Sequence, residues 1–307
     1  MFLILAAAVA LVWANSPFSA SYDSLIAIDA IKEVAIFSFF LSLGIELRHE
    51  ITHGALAKPR QALVPIFAAV GGMIVPVAIF SAINAGLPSA AGWGVPMSTD
   101  VAFALAVLAI GGKFLPPQIR VFLLTVSVVD DTLTILIISI FFTSNFHLLS
   151  LVSLLGIISG ILLPRGQSAL KWLMPFVTYA ALPIFALYSA GIKFSNLGDN
   201  FGGSALTIGI VAGMVLGKPM GVMGATWLVT KLGLGRLTEG IKWADLLSIS
   251  SLFGICFTVS LIMSELSFGT AGTQHSVSNL SVFIGSLTSA LLAIVAMQIR
   301  KRAYVRN

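Results

Sequence analysis

Four ionisable residues of this 307-residue chain stand well inside apolar stretches: Asp100, Asp130, Asp131 and Lys218. At the centre of a bilayer each costs roughly 2.5–3.5 kcal/mol on insertion scales, so such residues point to function by default. Asp130-Asp131 is the sharpest signal. Adjacent helical residues point about 100° apart, so both carboxylates can border one cavity without touching. In a dry cavity they resist simultaneous ionisation, and their protons leave in coupled steps. A hard cation such as Na⁺ offsets the repulsion and suits oxygen ligands. Protons and Na⁺ would compete for one site, and competition with alternating access suffices for exchange. The bland alternative, two helix-end acids facing a loop, is disfavoured because Leu123 to Val129 precedes the pair and Leu133 to Phe142 follows it.

Asp100 reads either as a third cation ligand or as a countercharge for exposed positive helix-dipole ends, and the second is favoured. Thr99 either lends an oxygen to the cation or bonds back to its own helix. Lys218 is too deep to snorkel easily, so an ion pair with an Asp is its natural arrangement. That pair is either structural, or it breaks and re-forms as protons move. The four charges sum to −2 when ionised. This leaves room for one monovalent cation or up to two protons, an exchange that would move net charge.

The elements that must hold these residues are membrane helices. The chain is 58% hydrophobic and only 9% charged, with a mean hydropathy of +1.02, where soluble proteins carry about 25% charged residues. That excludes an ordinary soluble enzyme, a disordered protein and a nucleic-acid binder. No phosphate-binding Gly loop, nucleophile elbow or zinc motif is present, so neither an enzyme nor a cofactor is expected. The single cysteine, Cys256, rules out an intramolecular disulfide.

Polar and Gly/Pro-rich breaks divide the chain into about ten apolar segments, near 1–14, 25–47, 61–83, 94–112, 118–142, 147–163, 170–191, 202–230, 246–268 and 278–299. The first lacks a preceding basic residue and reads as a short membrane helix rather than a signal peptide. The loops after the second, fourth, sixth and eighth segments, with the C-terminal tail, hold 14 of the 17 basic residues; the opposite loops hold only Lys193. Such one-sidedness predicts an even number of spans with both termini in the cytoplasm. Gly94-Val95-Pro96-Met97-Ser98-Thr99-Asp100 and Gly254-Ile255-Cys256-Phe257-Thr258-Val259-Ser260 put small and hydroxyl residues in the middle of the fourth and ninth segments. Interrupted spans at matching places in two halves point to a transporter site. Pro65, Pro76, Pro175, Pro183 and Pro219 read as ordinary kinks.

The remaining ionisable residues are read more blandly. Lys32-Glu33 is either a local pair or an acid lining a funnel, and Asp29 and Glu265 are expected to reach water. Glu46, Arg48, His49, Glu50 and His53 read as a hydrated helix end, with a pH-sensing role as the alternative. The His49/His53 spacing suits a metal pair, but no further ligand is evident. His147 and His275 read as loop residues.

At Gly92-Trp93-Gly94-Val95-Pro96-Met97-Ser98-Thr99-Asp100-Val101-Ala102-Phe103-Ala104-Leu105, followed by Val129-Asp130-Asp131, the sequence resembles the NhaA-type sodium/proton antiporters. Gly44-Ile45-Glu46-Leu47-Arg48, Leu216-Gly217-Lys218-Pro219-Met220-Gly221 and the Gly254–Ser260 motif extend the resemblance in the same order over nearly the whole chain. It implies an all-α polytopic fold in one transmembrane transporter domain, 1–307. Inverted three-helix repeats would lie near 61–142 and 202–299, with the fourth and ninth helices broken. It implies Asp130 and Asp131 as the cation- and proton-binding pair. Asp100 and Lys218 would be the charges compensating the broken helices, Lys218 paired with Asp130, Thr99 beside the cation, and Thr258 in support. Glu33 falls where the family has a funnel acid. Relative to the family's twelve helices, the stretch between Phe142 and Pro175 is about two helices short. Gln167-Ser168-Ala169-Leu170-Lys171-Trp172 stands where the family has a pH-sensing Glu/His cluster.

The expected function is therefore electrogenic exchange of Na⁺ or Li⁺ for H⁺ across a bacterial inner membrane, in the service of pH homeostasis. The expected partners are the lipid bilayer and those ions, with no nucleic acid. A homodimer stays open, as no clear dimer-forming hairpin lies between the first two helices. The alternatives are a sodium-coupled symporter of an organic solute and a degenerate member without transport.

Overall fold

The computed structural model describes residues 2–26, 29–53, 59–141, 148–163, 166–193, 201–238, 240–269 and 272–305, and among these there is no β-strand. The helices are α1 (Phe2–Ala14), α2 (Ser19–Ile26), α3 (Asp29–Thr52), α4 (Pro59–Ile83), α5 (Val101–Gly111), α6 (Pro117–Phe141), α7 (Leu148–Leu162), α8 (Gly166–Phe176), α9 (Leu182–Ser189), α10 (Ala205–Ala212), α11 (Lys218–Lys231), α12 (Trp243–Ser250), α13 (Thr258–Phe268) and α14 (Thr273–Val305). Tighter 3₁₀ segments, Pro88–Met97 and Ser251–Gly254, stand before α5 and α13.

By length and apolarity, four stretches can cross a membrane: Leu63–Ile83, Ser168–Ser189, Ala205–Lys231 and Thr273–Tyr304. Two bent pairs each qualify as one span. Pro88–Met97 with Val101–Gly111 is bent by 52°, and Trp243–Gly254 with Thr258–Phe268 by 42°. Among the described residues that makes six. Helices α1, α3, α6 and α7 occupy the other four expected segments without meeting both criteria there. Large apolar side chains cover the outside, among them Val12, Ile74, Ile110, Trp172, Leu216 and Ile299. A lipid environment requires such an inside-out distribution.

Two prolines have widened their helices. Both Pro183 and Pro219 are the second residue of a new α-helix, and each follows a π-helical turn, Val177–Ala181 and Gly213–Gly217. A proline lacks the N–H for its i−4 bond and its ring clashes with that carbonyl. A wider turn placed just before it relieves the clash. The kinks expected at these positions are thus turns carrying one extra residue.

Glycine contacts lock two helix pairs together. On α7, a Cβ added at Gly160 would stand 2.9 Å from the Cα of Gly44 on α3. On α4, one added at Gly71 would stand 2.5 Å from the carbonyl oxygen of Gly221 on α11. Neither approach leaves room for a side chain. Around these pairs lie two apolar cores. One holds Phe40, Phe80, Met97, Phe185, Met214 and Phe257. The other holds Leu123, Val222, Leu252, Phe253, Ile255 and Met297. Both interrupted spans contribute to both cores, Met97 and Phe257 to the first and Ala104 and Ile255 to the second.

Three local readings change. The polar stretch after α1 forms the short helix α2, anchored by Tyr22, whose hydroxyl donates to the Leu187 carbonyl at 2.7 Å. His275 lies in the first turn of α14 rather than in a loop. Glu265 is buried and pairs with Lys32, so neither the water contact expected for the acid nor a Lys32–Glu33 pair is present. A buried carboxylate needs a partner, and the long Lys32 side chain supplies it from another helix. His147 lies outside the described residues.

Candidate functional site

The two broken spans cross where their backbones are extended. Residues 98–100 and 255–257 belong to no helix. The strands of the crossing hold each other directly: the Asp100 N–H donates to the Ile255 carbonyl at 2.7 Å, and the Ser260 hydroxyl donates to the Val95 carbonyl at 2.6 Å. The Cys256 thiol donates to the Ser98 carbonyl. From α14, the Ser286 hydroxyl donates to the Cys256 carbonyl at 2.5 Å and accepts from its N–H at 3.2 Å. The small and hydroxyl residues of both motifs therefore bond backbone that the breaks left without helical partners.

Asp100 serves both new helix starts. One carboxylate oxygen accepts from the N–H of Phe103, 3.3 Å away in the first turn of α5. The other accepts from the Thr258 hydroxyl at 2.8 Å and its N–H at 3.5 Å, at the first residue of α13. A negative group between two helix N-termini is the favourable sign for both dipoles. Losing an ordinary N-cap costs about 0.5–2 kcal/mol, and here two helices share one. Asp100→Ala is accordingly expected to lower thermal stability in detergent by the upper end of that range or more. Asp100→Asn, which keeps an acceptor oxygen, should retain most of it; equal losses would mean that capping is not what Asp100 does.

Lys218 reaches the break at Thr99. Its ammonium donates to Asp130 at 3.0 and 3.3 Å and to the Thr99 hydroxyl at 3.1 Å. Thr99 passes the interaction on by donating to the Phe253 carbonyl at 2.9 Å, in the 3₁₀ end of the α12 span. Lys218 and Asp130 are each 1% exposed. The π turn before α11 and the mid-length position of Asp130 in α6 bring the pair together across the bundle.

Asp131 points elsewhere. It lines a cleft of about 530 Å³ together with Glu46 and His49 of α3, Thr99, Asp100 and Thr258. It has no hydrogen-bond partner among the described residues. The adjacent carboxylates are thus divided by helix geometry into one neutralised by Lys218 and one facing an open, largely apolar cleft. Other lining residues include Phe39, Leu105, Val128, Met174 and Leu182.

Of the residues singled out in the sequence, Thr99, Asp100, Asp130, Asp131, Lys218 and Thr258 converge on this crossing. Glu46 and His49 line the same cleft. Glu33 is not among the described residues that line it, and the Glu50 side chain lies outside the described residues. His49 stacks on His53 at 5.4 Å between centroids, and His53 Nδ1 lies 2.7 Å from the Thr52 hydroxyl. No cluster of three metal-ligating side chains occurs among the described residues.

One buried acid escaped the sequence reading. Asp245, in the first turn of α12, is fully buried. It accepts from Arg300 Nε at 2.7 Å, from the Tyr304 hydroxyl at 3.0 Å and from the Lys242 N–H at 3.2 Å. It lies at the edge of an apolar segment, where an acid looks solvated. Its side-chain partners, Arg300 and Tyr304, are 55 and 59 residues away, and no local pattern announces them.

The sequence is similar to those of known proteins over nearly its whole length. The family model described as "Na+/H+ antiporter 1" matches residues 1–172 and 164–297. A Na(+)/H(+) antiporter NhaA of Frankia casuarinae is 35% identical over 380 aligned positions, covering 99% of this chain and 85% of that protein. One from Mycolicibacterium smegmatis is 34% identical, covering 99% and 86%. One from Thermobifida fusca is 32% identical, covering 98% and 91%. The 380 aligned positions exceed the chain's 307 residues, so at least 73 positions of the Frankia protein have no counterpart here. The family match divides at 164–172, inside the stretch between Phe142 and Pro175.

Proposed function

We propose that this chain, which belongs to the Na⁺/H⁺ antiporter 1 family, exchanges Na⁺ or Li⁺ for H⁺ across a bacterial inner membrane. The observation that carries the reading is the divided pair: Asp131 open to the cleft, and Asp130 held by Lys218 at its back. A proton on this pair from one side is displaced by a cation from the other. Asp131 supplies the first oxygen to the entering cation, and Thr99 lies at the same cleft. As Asp130 turns toward the ion, its bond to Lys218 loosens. With Asp100, Asp130, Asp131 and Lys218 summing to −2, one cation replaces up to two protons and the exchange moves charge. The dipole compensation by Asp100 and Lys218 lets the crossed segments shift without exposing bare helix ends.

In this reading the chain makes ten spans with both termini in the cytoplasm. The repeats run through α4–α6 and α10–α14, and about two helices are missing from the middle. An even loss preserves orientation. A sodium-coupled solute symporter is the second reading, favoured by the cleft's volume, since small-molecule sites run from about 300 to 1,000 Å³. The scarcity of polar groups on its walls speaks against an organic ligand.

The test is proton flux in proteoliposomes holding the purified full chain and an imposed pH gradient. Na⁺ and Li⁺ should dissipate the gradient and K⁺ should not, at some pH between mildly acidic and alkaline. No response to any of the three across that range would overturn the proposal in favour of a non-transporting member.

A further inference from the structure

We propose that Lys32 and Glu265 form the outer gate of the transport path, a charged latch that must part whenever the site faces outward. The inference rests on the antiport reading.

The pair joins α3 to α13. Glu265 lies seven residues beyond Thr258, so at 1.5 Å per residue it stands about 10 Å from the crossing along α13. Lys32 lies fourteen residues before Glu46, about 21 Å along α3 from the residue that lines the open cleft. The two ends of α3 therefore differ in state: one borders a 530 Å³ opening, and the other is shut against α13.

The side chains of the pair are 12% and 7% exposed. A buried ion pair stabilises little more than well-packed apolar groups of similar volume, so static strength does not account for it. What two charges offer is reversibility: water replaces each partner when the seam opens, whereas two parted apolar surfaces would be left wetted. The helices joined belong to different packed pairs. Gly44 and Gly160 fix α3 to α7, while α13 belongs to the crossing that α11 supports through Lys218. A latch between bodies that move apart has to be of this reversible kind.

A polar seam lies behind the pair. His275, on the first turn of α14, is an electrostatic neighbour of Lys32. Its Nε2 lies 3.2 Å from the Asn279 amide, which also donates to the Ser189 carbonyl on α9 at 2.9 Å. Asn279 is fully buried, yet its Oδ1 has no partner among the described residues, and neither does the buried Ser189 hydroxyl. Buried polar atoms without partners are uncommon and require a reason. Here the reason is that water reaches them in the other state, when Lys32 and Glu265 separate.

Two comparisons test the gate. In the first, the full chain carrying Lys32→Cys and Glu265→Cys is bridged with a short, reducible bifunctional thiol reagent; Cys256 is fully buried and stays in place. Na⁺-dependent proton flux should fall about tenfold on bridging and return on reduction. Unchanged flux after complete bridging overturns the gate. In the second, Asn279→Cys is labelled from outside with a membrane-impermeant maleimide, with and without Lys32→Gln and Glu265→Gln together. Removing both charges leaves no lone buried ion. Labelling should quicken about tenfold, and equal rates overturn the proposal. Absent flux in the unmodified chain would count against antiport instead, and the labelling comparison then decides the gate by itself.

Discussion

Asp131→Asn abolishes Na⁺-dependent proton flux in proteoliposomes while the protein stays folded. The amide matches the carboxylate in shape but holds neither a titrating proton nor a charge. Asp131 has no hydrogen-bond partner among the described residues and faces a cleft, so folding asks little of it. The loss is therefore expected in transport alone, with a melting temperature close to that of the parent. Two unit charges 4 Å apart interact by about 4 kcal/mol at an effective dielectric constant of 20. That corresponds to roughly a thousandfold weaker hold on a cation. Near-normal exchange by the variant would remove Asp131 from the site.

Lys218→Met shows the opposite profile, in which the fold suffers first. Asp130 is 1% exposed, and Lys218 is the cation paired with its carboxylate, with Thr99 as a further polar neighbour. Breaking a buried pair from one side typically costs about 3–5 kcal/mol, because the remaining charge is stranded. Thr99 also loses the donor that tied it to α11. Adding Asp130→Asn to Lys218→Met removes the stranded charge and should recover most of the stability without restoring exchange. Thermal unfolding in detergent reads both variants. A double variant no more stable than the single one would mean that Lys218 holds the fold through Thr99 rather than through Asp130.

Much of this site is visible in the sequence because a membrane makes polar residues conspicuous. Asp100, Asp130, Asp131 and Lys218 stand out against apolar neighbours, and two Gly- and hydroxyl-rich motifs mark the breaks. The pairing of Lys218 with Asp130 came from a family likeness, since 88 residues of chain separate the partners. Contacts of that span leave no local signal. Lys32 and Glu265 are 233 residues apart, and each looked satisfied by a neighbour or by water. Asp245 was hidden the same way: an acid at a segment edge looks identical whether water or Arg300 receives it. Length also misled, because the polar stretch after α1 is held as helix α2 by distant contacts, the Tyr22 hydroxyl to the Leu187 carbonyl and Lys193 to Asp23.

The π turn at Gly213–Gly217 carries one residue more than an α-helical turn would, yet α10 and α11 continue on either side of it. A helical wheel drawn straight through Ala205–Lys231 would therefore misplace everything after the turn by about 100°. It would aim Lys218 away from α6. The turn acts as a phase shifter, setting the bearing of the only fully buried lysine among the described residues by residue count rather than by side-chain chemistry. Insertions and deletions in this span are thus not equivalent. Loss of one residue inside the turn restores a plain α-helix and keeps both flanks in phase, whereas the same loss within α11 itself rotates one part of that helix against the other.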